Sequence, residues 1–221
     1  MGTLKIGVLV SGRGSNLQAL IDACADPAFP AEIAVVVSNV HGAFALERAT
    51  RAGIATAVVA HADFPKGAAG REPFEAALND VLAAHDVAFV CLAGFMRLLS
   101  DGFVTHWRDR LVNIHPSLLP AFKGLHVHEA AIAAGVRFSG CTVHFVRPAM
   151  DEGPIVAQAV VPVLPDDTPD ALAARILEQE HRVYPAAMRL IAEGRVRVED
   201  EKVVIDGYPA PLGALRNPDA G

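Results

Sequence analysis

Short apolar segments rich in β-branched residues alternate with segments of helical spacing through the first half of the chain. The segments predicted to be strands are Ile6 to Val10, Ile33 to Val37, Thr56 to Val59 and Val87 to Leu92. The segments predicted to be helices are Asn16 to Ala25, Ala43 to Ala52 and Pro73 to Ala84. This alternation predicts a Rossmann-like α/β fold, in which helices cover both faces of a mostly parallel sheet. Ligands of such sheets bind beyond the carboxyl ends of the strands.

The pattern of apolar residues changes in the second half of the chain. Cys141 to Val146 and Ile155 to Val161 are predicted to be two strands, joined by a turn at Met150 to Pro154. Strands joined by a short turn pair in the antiparallel direction. The C-terminal half is therefore expected to add mixed or antiparallel strands to the sheet.

One long amphipathic helix is predicted from Thr168 to Glu193. Thr168 suits the N-cap, a proline follows at the first helical position, and Gly194 suits the end of the helix. A small hairpin is expected at Val196 to Ile205. The Pro/Gly-rich terminus after it is a candidate for disorder.

Composition and charge limit the classes of function. The 221 residues, 52% of them hydrophobic, suffice for one large domain or at most two small ones that share a core, and one continuous unit is expected. A net charge of -6 gives no general attraction to nucleic acid or to an anionic membrane, so any phosphate has to be bound locally. Three widely spaced cysteines indicate free core thiols in a reducing compartment. No apolar segment is long enough to span a membrane, and a cytoplasmic protein is expected.

The segment from Asn113 to Pro120 is the first candidate for chemistry. An apolar strand carries Asn113 and His115 to its end, where Pro116 restricts the exit of the chain. Residues two apart on a strand project to the same face, so this amide and imidazole can converge on one small group. An amide donates a hydrogen bond to developing negative charge, and a histidine can also deliver a proton near neutral pH. The pair predicts an oxyanion site, and a structural histidine is the equally weighted alternative.

A second candidate site follows the first predicted strand. The loop from Ser11 to Asn16 leads directly into a helix, so backbone N–H groups at the helix start can bind an anion such as phosphate. It is not a Walker A loop, and Leu17 replaces the third glycine of the dinucleotide fingerprint, which disfavours a nicotinamide cofactor. The alternative is a tight glycine turn in which Ser15 or Asn16 caps the helix. Arg13 favours the anion.

Four further features have two interpretations each. Asp151 suits a turn before Gly-Pro, or it is a carboxylate that stabilises the charged imidazolium of His115. His144 faces the same cleft or is a hydrogen-bonded core residue. The cluster His126 to Glu129 could suggest a metal site, but a helix start with exposed polar side chains is favoured. The apolar segment Ala93 to Leu99 is core, or it lines a flat, aromatic-sized pocket.

Five motifs stand in order along most of the chain. They are Ser11-Gly12-x-Gly14-Ser15-Asn16, the segment Ala93 to Leu99, Asn113-x-His115-Pro116-Ser117-Leu118-Leu119-Pro120, Gly124-Leu125-His126-x-His128 and Asp151-x-Gly153-Pro154. Together they closely resemble the phosphoribosylglycinamide formyltransferase family of purine biosynthesis. The resemblance implies a formyltransferase fold. It also implies transfer of a formyl group from 10-formyltetrahydrofolate to the amine of glycinamide ribonucleotide, without a metal.

The resemblance further implies roles for residues at matching positions. The catalytic residues it implies are Asn113, His115 and Asp151. The implied ribonucleotide contacts are Gly14, Ser15, Asn16 and Glu180. The implied folate contacts are Arg71, Met96, Arg97, Leu98, Leu99 and Asn113. His144 and Ser117 are candidates for residues that contact and position the catalytic side chains.

The same resemblance suggests how one domain is organised. Residues 1–100 are expected to form a phosphate-binding half, residues 101–195 a folate-binding and catalytic half, and residues 196–221 a hairpin and tail. The expected partners are the two small-molecule substrates, with no nucleic acid and no membrane. The sequence indicates no oligomeric state.

Other functions remain as alternatives at this point. Formyltetrahydrofolate deformylase passes the formyl group to water, and methionyl-tRNA formyltransferase passes it to a tRNA. Both are disfavoured, because the chain shows no added regulatory or tRNA-binding domain and no basic excess for tRNA. A non-catalytic nucleotide-binding module would need only the loop from Ser11 to Asn16, and it leaves Asn113, His115 and Asp151 without a role.

Overall fold

A computed structural model describes residues 2–207 and 215–217. The strands are β1 Leu4–Val10, β2 Ala31–Ser38, β3 Thr56–Val58, β4 Phe89–Leu92, β5 Leu111–His115, β6 Phe138–Phe145, β7 Ile155–Pro162, β8 Val196–Glu199 and β9 Lys202–Ile205. The α-helices are α1 Ser15–Cys24, α2 Phe44–Arg51, α3 Arg71–Ala84, α4 Asp101–His106, α5 Val127–Ala133 and α6 Pro169–Ala192. Short 3₁₀ turns lie at His61–Asp63 and Ala68–Gly70.

Strands β1 to β7 form one sheet in the order β3-β2-β1-β4-β5-β6-β7. The five strands from β1 to β5 pair in parallel. Strands β6 and β7 pair antiparallel, which confirms the predicted mixed sheet. The predicted hairpin is the separate pair of β8 and β9. Residues 208–214 and 218–221 of the terminus predicted to be disordered lie outside the described residues.

Helices cover both faces of the sheet, as predicted. Alternate residues of β1 point to opposite sides, so Ile6 and Val8 pack in a core with α1, α2 and α6, whereas Leu9 packs in a core with α3 and α4. The central strands are buried on both faces, which explains why their sequences are apolar almost without interruption. This arrangement leaves the carboxyl ends of the parallel strands as the edge where polar side chains collect.

Helix α6 is fixed to that edge. Its N-cap is Thr168, whose hydroxyl accepts a hydrogen bond from the Ala171 N–H at 3.2 Å, as the sequence predicts. The buried Tyr184 hydroxyl donates to the carbonyl oxygen of Leu92 at 2.9 Å, at the end of β4.

No helix of the described residues is long and apolar enough to cross a membrane.

Some predicted boundaries differ from the structure. β4 begins at Phe89 rather than at Val87, because Val87 packs as part of the turn after α3 and its N–H bonds the Leu82 carbonyl. Helix α4 was not predicted, since six residues are too few to show helical periodicity. Its N-cap Ser100 accepts from the Phe103 N–H at 3.1 Å. Helices α1, α2, α3 and α6 begin and end within two residues of their predicted bounds.

The three cysteines are free, as predicted. Cys91 and Cys141 are buried, and Cys24 is half-buried. Burial raises the pKa of Cys24 to about 11 and that of Cys141 to about 12. These thiols are therefore protonated near neutral pH and unreactive.

Candidate active site

The catalytic residues implied by the resemblance meet beyond the end of β5. His115 is the last residue of β5, and its side chain is only 7% exposed. Asp151 comes from the turn between β6 and β7, and its Oδ2 lies 3.6 Å from His115 Nδ1. Asn113 stands two residues before His115 on the same face of the strand. The strand and the turn thus bring an amide, an imidazole and a carboxylate to one place.

The second nitrogen of His115 also has an acceptor. His115 Nε2 lies 3.0 Å from the carbonyl oxygen of Phe122, in the loop that follows β5. Ser117 Oγ lies 2.9 Å from the same oxygen and 2.7 Å from the carbonyl oxygen of Ala121. Both ring nitrogens of His115 therefore face oxygen atoms, Nδ1 the Asp151 carboxylate and Nε2 the Phe122 carbonyl.

Asp151 is oriented by the backbone. The Gly124 N–H donates to Asp151 Oδ2 at 2.7 Å, so the oxygen that faces His115 is held by a second donor. Asp151 itself has φ of 51°, in the left-handed region that aspartate tolerates better than most residues. The turn before Gly-Pro that the sequence indicated therefore exists, and it also points the carboxylate at the imidazole.

His144 supports Asn113 from the neighbouring strand. The two residues are paired in the register of β5 and β6, and His144 Nε2 lies 3.4 Å from Asn113 Nδ2. His144 Nδ1 lies 3.0 Å from the carbonyl oxygen of Phe145, to which an N–H at that position donates. Burial lowers the pKa of His144, so the ring is neutral and its Nε2 accepts from the Asn113 amide. His144 is thus a buried, hydrogen-bonded residue in direct contact with a site residue.

The loop after β5 is held by polar residues that sequence reasoning missed. The buried Thr142 hydroxyl donates to the Ser117 carbonyl oxygen at 2.7 Å and accepts from the Leu119 N–H at 3.0 Å. Gln158 Nε2 lies 3.0 Å from both the Leu119 carbonyl oxygen and Thr142 Oγ1. A polar residue within the apolar strand β6 is the signal that could have identified Thr142. The Phe122 carbonyl is a backbone atom and leaves no such signal.

The loop after β1, from Ser11 to Asn16, has the geometry of an anion site and is named the anion loop. Gly14 is the N-cap of α1 with φ of 71°, and an added Cβ there would lie 2.6 Å from the Ala45 Cβ. Only glycine suits both the left-handed backbone and this close approach of α2. No side chain caps α1, which rules out the interpretation that Ser15 or Asn16 is its cap. The N–H groups of the first helical turn therefore remain available to an anion.

Asn16 and Glu180 join this loop to α6. Asn16 Nδ2 donates to Glu180 Oε2 at 2.6 Å, while Asn16 Oδ1 is buried without a hydrogen-bond partner. Burial raises the pKa of Glu180, the bond from Asn16 opposes that shift, and the nearby His115 opposes it further. Glu180 is thus buried beside the anion loop and feels the charge of His115.

The segment implied to bind folate, Ala93 to Leu99, lies beside the anion loop, because the Met96 N–H donates to Ser11 Oγ. Met96 and Leu98 are 69% and 65% exposed, whereas Leu99 packs against the core beneath α3. The Arg97 guanidinium lies over the Phe74 ring, 5.4 Å from its centroid. The segment therefore contributes to the core and also presents apolar side chains outward.

Arg71 lines a different part of the structure from the residues implied to be catalytic. It is exposed at the start of α3 and lines a cavity of about 590 Å³ between α3 and α4. Ser100, which directly follows the implied folate segment, lines the same cavity, and neither Asn113, His115 nor Asp151 does.

The cluster His126 to Glu129 begins a helix, as favoured from the sequence. His126 is the N-cap of α5 and is exposed, as is Glu129. His128 differs from the prediction, because it is half-buried and its Nε2 is buried without a hydrogen-bond partner. Burial lowers its pKa. Within the described ranges, no group of three or more His, Cys, Asp or Glu residues could hold a metal ion.

Comparison with known proteins shows the family to which this chain belongs. A family model described as formyl transferase matches residues 4–188. Because this match covers most of the chain, the chain belongs to the formyl transferase family.

Relatives of similar length include phosphoribosylglycinamide formyltransferases. The enzyme of that name from Escherichia coli (strain K12) is 43% identical over 208 residues, which are 96% of this chain and 96% of the relative. A crystal structure of glycinamide ribonucleotide transformylase 1 from Symbiobacterium toebii has a TM-score of 0.87 and 49% identity, and the match covers 92% of this chain and 94% of that one. The family predicted from the motifs is thus confirmed.

Longer relatives match through one part of their length. The trifunctional purine biosynthetic protein adenosine-3 of Drosophila melanogaster is 50% identical over 199 residues. That match covers 89% of this chain and 14% of the relative, so this chain spans only a small part of that protein.

Proposed function

We propose that this protein transfers a formyl group from 10-formyltetrahydrofolate to the amine of glycinamide ribonucleotide, in purine biosynthesis. The products are formylglycinamide ribonucleotide and tetrahydrofolate. The observation that carries the proposal is the approach of His115 Nδ1 to Asp151 Oδ2 at 3.6 Å, on the strand end that also carries Asn113. Membership of the formyl transferase family and the similarity to phosphoribosylglycinamide formyltransferases support it.

The reaction is an acyl transfer between two nitrogen atoms. The neutral amine of the ribonucleotide attacks the formyl carbon, and the carbonyl oxygen becomes an oxyanion. The Asn113 amide and the protonated His115 ring donate hydrogen bonds to that oxyanion. The bond from the formyl carbon to the folate nitrogen then breaks, and the proton lost by the attacking amine goes to the departing folate nitrogen. No metal takes part.

Asp151 has an electrostatic role in this scheme. Its carboxylate favours the charged form of His115 and orients the ring through Nδ1. His115 Nε2, which lies 3.0 Å from the Phe122 carbonyl oxygen, carries the proton that is donated to the developing oxyanion. His144 holds the Asn113 amide, and Ser117 shares the Phe122 carbonyl with His115.

The two substrates occupy opposite sides of the catalytic residues. The ribonucleotide phosphate lies on the backbone N–H groups at Gly14, Ser15 and Asn16, where the helix N-terminus favours an anion. Glu180 and the unpaired Asn16 Oδ1 accept hydrogen bonds from the ribonucleotide.

The folate lies against Met96, Arg97, Leu98 and Leu99, close to Asn113. The exposed Met96 and Leu98 side chains supply apolar contacts to its flat ring system. The exposed guanidinium of Arg71 attracts the negatively charged end of the folate.

The direct test mixes the purified protein with 10-formyltetrahydrofolate, with and without glycinamide ribonucleotide, and follows loss of the formyl group. We expect loss only when the ribonucleotide is present, with formylglycinamide ribonucleotide as the product. Loss without the ribonucleotide, with release of formate, would identify a hydrolase instead. No loss under either condition would leave a binding protein and would reject the proposal.

A further inference from the structure

Ser11 connects the anion loop to the segment that follows β4. It is the first residue after β1, three positions before Gly14. The Met96 N–H donates to Ser11 Oγ at 2.7 Å, and the Ser11 N–H donates to the carbonyl oxygen of Gly94 at 3.1 Å. One residue of the anion loop thus binds the backbone of the segment 94–96 twice.

The Ser11 hydroxyl is fixed on both sides. Its single proton is donated to Asn39 Oδ1 at 2.6 Å, and a carbonyl oxygen can only accept. Its oxygen is therefore left to accept from the Met96 N–H, which can only donate. Asn39 is buried at the end of β2, and its N–H donates to the Val10 carbonyl oxygen at 3.3 Å. The hydroxyl has one favourable orientation, and it joins two loops through that orientation.

The anion loop is held on its opposite side by α2. The Ala45 N–H donates to the Gly12 carbonyl oxygen at 3.0 Å, and Arg48 Nε donates to the Arg13 carbonyl oxygen at 2.9 Å. With α2 on one side and the 94–96 segment on the other, a shift of the loop changes the Ser11 to Met96 contact directly. Met96, whose side chain is 69% exposed, belongs to the segment that is proposed to bind the folate.

We propose that Ser11 is a positioning residue that couples the two substrate sites, because its hydroxyl holds the Met96 backbone against the loop that binds the ribonucleotide phosphate. This inference rests on the proposed function for the identity of the two ligands. When the phosphate orders the anion loop, the Ser11 hydroxyl orders the folate segment, and each ligand then binds more tightly in the presence of the other. By linkage, the two ligands strengthen each other by the same factor.

The test uses a dead-end pair of ligands. Tetrahydrofolate and glycinamide ribonucleotide contain no formyl group, so their binding can be titrated by calorimetry without turnover. For the unaltered protein we expect the dissociation constant of tetrahydrofolate to fall by about fivefold or more when ribonucleotide is saturating, a usual size for coupling between sites. In Ser11→Ala, the ratio of the tetrahydrofolate dissociation constants without and with ribonucleotide should approach one.

Two variants separate coupling from general loss of stability. Ser11→Thr keeps the hydroxyl and should keep the ratio, while Ser11→Cys replaces it by a somewhat larger thiol that is a weaker acceptor and should lower the ratio. Thr168→Ala is the matched control, because it also removes a hydroxyl that accepts one backbone N–H, at the start of α6. Its coupling ratio should equal that of the unaltered protein. Should Ser11→Ala fail to fold, the comparison of Ser11→Thr with Ser11→Cys decides in its place.

The outcomes are distinct from those of the transfer assay. An unaltered protein whose ligands bind independently would overturn the coupling proposal, even when it transfers formyl groups. Equal ratios in Ser11→Ala, or in Ser11→Cys where that variant is used, and in the unaltered protein would overturn it as well. Absence of formyl transfer in the unaltered protein rejects the proposed function and is measured separately.

Discussion

The loop after β1 and the end of β5 are built from different kinds of donor. At the loop, backbone N–H groups at the start of α1 face the proposed phosphate, and Gly14 allows the chain to turn there. At the strand end, side chains of Asn113, His115 and Asp151 converge from separate segments. Backbone donors suit an anion that is bound without change, whereas side chains that titrate or turn suit a group whose charge changes during reaction. The loop after β1 therefore suits substrate binding, and the end of β5 suits catalysis.

The largest effect should come from removing the charged pair at the strand end. His115→Asn and Asp151→Asn should each lower kcat by roughly 10²–10⁴-fold, the usual range for a positioned acid or base. Ribonucleotide binding, measured by calorimetry, should stay close to that of the unaltered protein. Glu152→Gln, which removes the neighbouring exposed carboxylate of the same turn, is the control and should keep its turnover. Unchanged kcat in either His115→Asn or Asp151→Asn would contradict a catalytic role for the end of β5.

The loop should be sensitive to backbone geometry rather than to side-chain chemistry. Gly14→Ala should lower the free energy of unfolding by roughly 1–3 kcal/mol, because alanine is strained at this φ and its Cβ would collide with Ala45. Urea unfolding measures the change. Gly12→Ala is the control, since an added Cβ at Gly12 meets nothing within 4 Å. Equal stability of the two variants would contradict the close approach of α1 and α2.

Asn16 should affect binding more than turnover. Asn16→Ala removes the hydrogen bond to the buried Glu180 and the unpaired Oδ1, which is proposed to accept from the ribonucleotide. The dissociation constant of glycinamide ribonucleotide should rise about tenfold, the size expected for a hydrogen bond to a charged group. Gln18→Ala, two positions further along α1, should change it little. A lower kcat with unaltered affinity would move Asn16 from the binding side to the catalytic side.

The smallest effect should be a gain in stability at Glu180. Because burial raises its pKa in the folded protein, the protonated form is favoured on folding, and this contribution is present below the ordinary pKa and lost as pH rises through the raised value. Glu180→Gln should therefore stabilise the protein by about 1 kcal/mol near neutral pH, and the gain should disappear in acid. Thermal unfolding across this range is the measurement. The exposed Glu178→Gln on the same helix should show neither effect.

Glu180→Gln also sharpens the comparison of stability with function. The same substitution should weaken ribonucleotide binding, because the amide is a weaker acceptor than the carboxylate. A gain in stability together with a loss of affinity would show that the buried charge is retained for ligand binding.

Much of the fold was predictable because the signals are local. β-branched segments that alternate with helical spacing predicted the parallel half, and Thr168 with the proline after it predicted the start of α6. The short helix α4 escaped prediction because its six residues span less than two turns. The strand predicted from Val87 begins only at Phe89, because Val87 belongs to the turn after α3.

The candidate site was predictable only in part. The resemblance implied Asn113, His115, Asp151 and Glu180, but the residues alone left a structural histidine and a turn aspartate as alternatives. The buried Thr142 and the Phe122 carbonyl were not identified, because their roles depend on a loop path that no periodicity describes.

By itself the sequence determined the properties that depend on near neighbours: the strand and helix pattern, the left-handed turn at Gly14 and the shared face of Asn113 and His115. Tertiary structure decided which distant groups meet. Asn16 and Glu180 are 164 residues apart and form a hydrogen bond, and the His115 ring has Asp151 on one side and a loop carbonyl on the other. Backbone angles follow from local sterics, whereas the charge state and orientation of a buried side chain depend on the atoms that folding brings around it.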